Sequence, residues 1–282
     1  MKKYKPTTKA ELKELVNDES IYLGDIDTSL ITDMSGLFYE SSRKDFSGIN
    51  EWDTSNVISM RWMFLACYGF NQELSFNTCN VVDMEGMFEG CIRFNQTLNL
   101  DTSKVEDMSA MFNGCREFNQ ELGFNTSNVE DVNCMFMGCT SFNKKLNFNT
   151  KNVKDMSGMF YWCRSFNQEL SFDTSMVENM SCMFEYCESF NKRLDFDTSK
   201  VKNMNGMFCK CINFNQPLSF DTKNVKEMFE MFAWCSNFNQ ELDFDIGKVV
   251  RIDGMFDDCE SLKTLPKFYT DFMAKADNKV CL

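Results

Sequence analysis

The sequence contains no histidine, only three prolines and 13 glycines. It also has no apolar run near the roughly 20 residues that a membrane-spanning helix needs. Each absence excludes something. Without histidine there is no Ser–His or Cys–His couple for nucleophilic catalysis, and no imidazole to complete a metal site. No glycine-rich phosphate loop occurs. The scarcity of proline argues against a linker or a disordered tail. Positive charge is also short, with 29 Lys and Arg against 42 Asp and Glu, a formal net charge of −13. Nucleic acid and anionic membranes are therefore not expected as partners, although a local basic stripe is not excluded. The basic opening MKKYK is followed by no apolar segment of signal-peptide length. The expected location is cytoplasmic or intracellular, with the cell surface or a virion left open.

What the chain has in excess is 29 Phe, 21 Met and 14 Cys, and these fall into columns. The segment DTSNV at 53–57 returns as NTCNV at 77, DTSKV at 101, NTSNV at 125, NTKNV at 149, DTSMV at 173, DTSKV at 197, DTKNV at 221 and DIGKV at 245, in steps of 24 residues. An earlier copy, DTSLI at 27, lies 26 residues before the second, which places a two-residue insertion near residues 42–47. Met60 to Met228 form one column, interrupted by Val132, and the pairs Met63-Phe64 to Met255-Phe256 form another. Cys67 to Cys259, Phe70 to Phe238, Leu74 to Leu242 and Phe76 to Phe244 form the rest.

No single unit can bury its own apolar positions, so stacked units must share a core. The expected fold is a solenoid of about ten 24-residue coils. The alternating L-x-F stretch reads as a very short parallel strand. The V-x-x-M-x-x-M-F-x-x-C stretch reads as short helical or 3₁₀ turns. Both ends need covers. Residues 1–26 are expected to form an N-terminal helical cap, with Thr8 and Glu11 as a capping box. The solenoid would occupy 27–265, and a C-terminal cap or tail 266–282, with a short closing helix over 269–276.

Read column by column, most of the chemistry is structural. Met and Phe read as core, with sulfur–aromatic contacts. The cysteines lack the paired spacing of a metal site, since only Cys209 and Cys211 stand one residue apart. Disulfides between neighbouring units would need Cβ atoms closer than in-register stacking allows. A ladder of free, buried thiols is expected, and with it a reducing compartment. The Asn71 to Asn239 column reads as an amide ladder, with glycan or peptide binding as the sharper alternative. The column opening with Asp27 and Asp53 mixes Asp and Asn, which suggests a side-chain oxygen capping the next turn. A calcium row is the alternative there. No catalytic residue, metal or cofactor is expected. Departures from the pattern are few, and Trp162, Tyr186 and Trp234 share one position with Ala66, Gly90, Gly114, Gly138 and Lys210. This edge is the first candidate for a partner surface through aromatic anchors.

The unit FNQ-x-L-x-F-D-T-S-x-V-x-x-M-x-x-M-F-x-x-C resembles the BspA-like leucine-rich repeat family, and more narrowly its DUF285 type. The resemblance covers 27 to about 265, and the opening YKPTTKAELKELV is similar to the leader that precedes such units. It implies leucine-rich-repeat-like coils and a role at surfaces, as adhesin or host-interaction factor. It carries no catalytic residues. Two functions follow as expectations. One is a non-catalytic scaffold that binds protein, through the aromatic edge or through the glutamates Glu73, Glu121, Glu169 and Glu241, which would select basic surfaces. The other is a structural component or rigid spacer of a larger assembly.

Overall fold

The computed structural model describes residues 2–280, with side chains through Lys275. Between the two ends the backbone follows one alternation. The N–H groups of Met60, Trp62, Phe64 and Ala66 donate to the carbonyls of Asp83, Glu85, Met87 and Glu89 in the next segment, at 2.7–3.0 Å. The N–H groups of Met63, Leu65 and Cys67, lying between them, close turns onto the carbonyls three residues back. The same alternation runs from Met34 to Trp234. Every second inter-segment donor is left-handed, with φ between 51° and 74° in the columns from Gly36 to Gly254 and from Glu40 to Asp258.

This corrects the expected fold. Among the described residues there is no β-strand, and the helices are α1 (Lys9–Asn17), α2 (Lys267–Val280) and two three-residue 3₁₀ turns, Leu23–Asp25 and Ile49–Glu51. The chain is not a solenoid of coils with a strand and helical turns in each. The L-x-F stretch makes single parallel bridges, Leu74 to Leu98 and Leu98 to Leu122, and further bridges run through Ser59, Asp83, Asp107 and Asp131. The physical reason is the pair of left-handed residues, four apart, in each segment, as at Trp62 and Ala66. It breaks the helical spacing that the apolar residues suggest, and it sends alternate N–H groups sideways to the next segment rather than back along a helix. The L-x-F stretch itself carries no left-handed residue, and its pairing between segments is limited to those single bridges.

The core is a file of rings and thioethers. Phe88 stacks on Phe94 at 4.3 Å and on Phe112 at 5.8 Å, and Phe94 on Phe118 at 6.0 Å. The columns from Met60 to Met228 and Met63 to Met255 are fully buried beside them. Polar side chains complete the backbone. Thr54, Thr78, Thr102 and their equivalents to Thr222 are buried, and each hydroxyl donates to a carbonyl 23 residues on, as Thr54 Oγ1 does to Asn77 at 3.0 Å. Asn71 Oδ1 accepts from the Asn95 N–H at 2.9 Å, and the link continues to Asn239. Asp53 Oδ1 accepts from the Ser55 N–H at 3.0 Å, the capping role of its column.

At the N-terminal end Thr8 caps α1 by accepting from Glu11, whose carboxylate reaches back to the N–H of Thr7. Leu12 and Val16 of α1 are buried. The insertion brings in Arg43, 7% exposed, whose guanidinium donates to the carbonyls of Val16 at 3.0 Å, Asp18 at 3.2 Å, Asp45 at 2.7 Å and Ile21. One arginine thus ties the end of α1 to the first turn of the core.

Phe148 is buried in the mid-chain core. Its replacement by alanine leaves a cavity that the segments on both sides cannot close, so the expected loss is about 3–5 kcal/mol in chemical denaturation. A loss below about 1 kcal/mol would contradict the packing described.

Candidate partner-binding surface

The left-handed column from Glu40 to Asp258 decides what this edge displays. After Glu40 and Ala66, Gly90, Gly114 and Gly138 occupy it, and a Cβ at Gly138 would meet Gly114 at an ordinary 3.5 Å. The next four segments place Trp162, Tyr186, Lys210 and Trp234 there, all at φ 56–62°. A bulky residue in this region costs on the order of 1 kcal/mol or more relative to glycine.

The structure brings these four together. Trp162 stacks on Tyr186 at 5.2 Å, and Tyr161 packs edge-on against both. The Lys210 ammonium lies 4.4 Å from the Tyr186 ring and 4.7 Å from the Trp234 ring, so it bridges them. Its hydrogen bond to the Tyr186 hydroxyl raises the Lys210 pKa. Trp162 and Trp234 remain 41% exposed. Beneath the row, burial pushes the Glu185 carboxyl up, and it pushes the Cys182 thiol up as well. On the open side of Trp162, a groove of about 460 Å³ is lined by Gly114, Gly138, Arg116, Thr140, Trp162 and Arg164.

Glu73, Glu121, Glu169 and Glu241 are exposed, but they form no continuous acidic face. Their column is interrupted by Thr97, Lys145, Arg193 and Pro217. Among the described residues no hydrogen bond, ion pair or ring contact joins them to the aromatic row. Lys210 and the two arginines of the groove were not singled out from the sequence. The readable signal was the change from glycine to large side chains within one column.

The thirteen described cysteines are free. Nine form a ladder in which each thiol donates to a phenylalanine carbonyl, as Cys139 Sγ does to Phe112 at 3.0 Å. They are therefore hydrogen-bond donors as well as small apolar groups. Burial pushes Cys67 and Cys259 up to about 11, and Cys139 well above its ordinary value. Among the described residues no group of three or more acidic or thiol side chains is arranged to hold a metal ion. No helix among them is long and apolar enough to cross a membrane.

Turns hydrogen-bonded at a period of 24 residues, free thiols and an exposed aromatic row define a class of protein built as a single file of turns. The chain matches the family model described as Mycoplasma protein of unknown function, DUF285, over residues 10–122, 98–195 and 170–269. It belongs to that family. The wider resemblance to BspA-like leucine-rich repeats is not supported, because the match is to DUF285 and the strand that each leucine-rich repeat requires is missing among the described residues. The descriptions leucine-rich repeat, solenoid and repeat architecture fall with it. No curated protein and no solved structure matches the chain.

Because the thiolate is the reactive form, Cys139 and the other thiols of the ladder should resist alkylation in the native protein and react fully once it is denatured. Mass spectrometry after a timed iodoacetamide pulse measures this. Rapid native labelling of Cys139 would contradict the burial and bonding described.

Proposed function

We propose that the chain is a non-catalytic scaffold that binds a protein partner through the Trp162, Tyr186, Lys210 and Trp234 row. One observation carries the reading. Four consecutive segments hold large, partly exposed side chains in a backbone conformation where the three preceding segments use glycine. Such strain without full burial is a mark of functional surfaces. Tryptophan and tyrosine are also among the side chains that dominate binding energy at interfaces.

The test is affinity capture from source-cell extract under reducing conditions. It compares the parent with a variant carrying Trp162→Gly, Tyr186→Gly and Trp234→Gly. Glycine suits the backbone at all three positions, so the variant should fold. A second variant changes Glu73, Glu121, Glu169 and Glu241 to lysine. The expected result is one partner in near-stoichiometric amount, lost with the glycine variant and kept by the lysine variant. The reverse pattern would move the surface to the glutamates. Recovery only within a large assembly that survives both would replace the scaffold by a structural component.

A further inference from the structure

The aromatic row stops abruptly. Tyr186 covers one face of the Trp162 ring at 5.2 Å. The other side of that ring walls the groove, where Gly138 and Gly114 supply no side chain. One further ring, set at the spacing already used between Trp162 and Tyr186, would lie over Gly138. Among the described residues no ring but those of Tyr161 and Tyr186 contacts Trp162, and the Arg164 guanidinium lies over it at 5.5 Å.

The chemistry around that empty step is cationic. Arg164 lies 5.5 Å from the Trp162 ring and shares its charge with Glu188 at 3.3 Å. Arg116 stands two segments away on the same wall, with no ion pair among the described residues. The Thr140 hydroxyl between them donates to the Arg116 carbonyl at 3.2 Å. On a chain of net charge −13, this is a local basic site. The backbone offers no anion cradle, because the N–H groups of Gly90, Gly114 and Gly138 are already given to Asn113, Met137 and Tyr161. An anion must therefore be held by guanidinium groups, whose planar fork suits a carboxylate. The groove is open along the file, so it admits a side chain projecting from an extended segment rather than enclosing a free ligand.

We infer that the groove between Gly114 and Trp162 receives an aromatic side chain of the partner, flanked by carboxylates that pair with Arg116 and Arg164. The inference rests on the reading of the chain as a protein-binding scaffold, and it adds the chemistry of the segment recognised. The added ring covers the open side of Trp162, and the carboxylates neutralise Arg116, the groove arginine that has no ion pair among the described residues. A basic or purely aliphatic segment meets neither condition.

Isothermal titration with short peptides tests it. The probe is acetyl-Gly-Asp-Trp-Glu-Gly-amide, set beside peptides with Trp→Ala, with Asp and Glu changed to Lys, and beside indole-3-acetate. The protein variants are Gly138→Trp and Arg116→Gln. The first fills the groove with the residue that the next segment carries at the same backbone angle, so it is compatible with folding, and near-ultraviolet circular dichroism checks this. The acidic tryptophan peptide should bind the parent. Each peptide change and each protein variant should weaken it at least tenfold, and added salt should weaken it further. No binding to the parent, or binding unchanged in folded Gly138→Trp protein, would overturn the inference. Indole-3-acetate binding as tightly as the peptide would overturn its peptide part. Gly138→Trp leaves Tyr186, Lys210 and Trp234 in place. A partner still captured by that variant, with no peptide binding to the parent, would therefore sink the groove alone and leave the scaffold reading standing.

Discussion

The hydrogen bonds from alternate N–H groups of each turn, as from Met84, Gly86, Phe88 and Gly90, to carbonyls 23 residues further on govern this molecule. They fix the spacing of successive segments, and the intervening N–H groups must then find partners within their own turn. That division leaves neither a helical ladder nor a paired strand, and it demands a left-handed residue at regular intervals. A buried backbone group without a partner is costly, so the arrangement is stable only while all segments keep the same register.

Register explains the uniformity of the side chains. When each residue lies over its counterpart, phenylalanine rings stack on their own kind, as Phe136 does on Phe160 at 5.8 Å. Hydroxyl, thiol and amide groups each meet a carbonyl or N–H of the neighbouring segment at one recurring place. The hydroxyls and amide oxygens supply partners to backbone carbonyls and N–H groups of the neighbouring segment, and the thiols add a second bond to carbonyls that already accept a turn N–H, as Phe112 does from Cys115. No buried side-chain nitrogen or oxygen among the described residues lacks a partner. The aromatic row on the surface is the same stacking rule applied outside the core, as where Trp162 stacks on Tyr186 at 5.2 Å.

The period of 24 residues, the inward columns and the roles of Asn71 and Asp53 were legible in the sequence, because each depends on residue type at fixed spacing. The element types were not. Apolar residues three and four apart, as in Met60, Met63, Phe64 and Cys67, read equally as a helix or as successive turns. Only the φ of Trp62 and Ala66 separates the two. Glycine at 86, 90, 114 and 138 hinted at that geometry, but Trp62, Cys134 and Tyr186 hid it by adopting it without being glycine. The hydrogen bonds of Thr54 and Cys139 were also illegible, since Cys139 reads as a buried thiol and neither bond shows until the facing carbonyl is placed. At the surface, Trp162, Tyr186 and Trp234 stood out by size, whereas Lys210 and Arg116 gained meaning only from the rings and the groove beside them.

Native-state hydrogen exchange at Phe112, Phe136 and Phe160 tests the central claim most directly. Their N–H groups donate to the carbonyls of Met135, Met159 and Met183, each at 2.9 Å. Inter-segment bonds that hold the whole file together predict that these three amides exchange only through global unfolding, with equal protection and one common dependence on urea. Exchange of any of them at the rate of an unstructured amide, or at three unrelated rates, would contradict the claim that these bonds govern the fold.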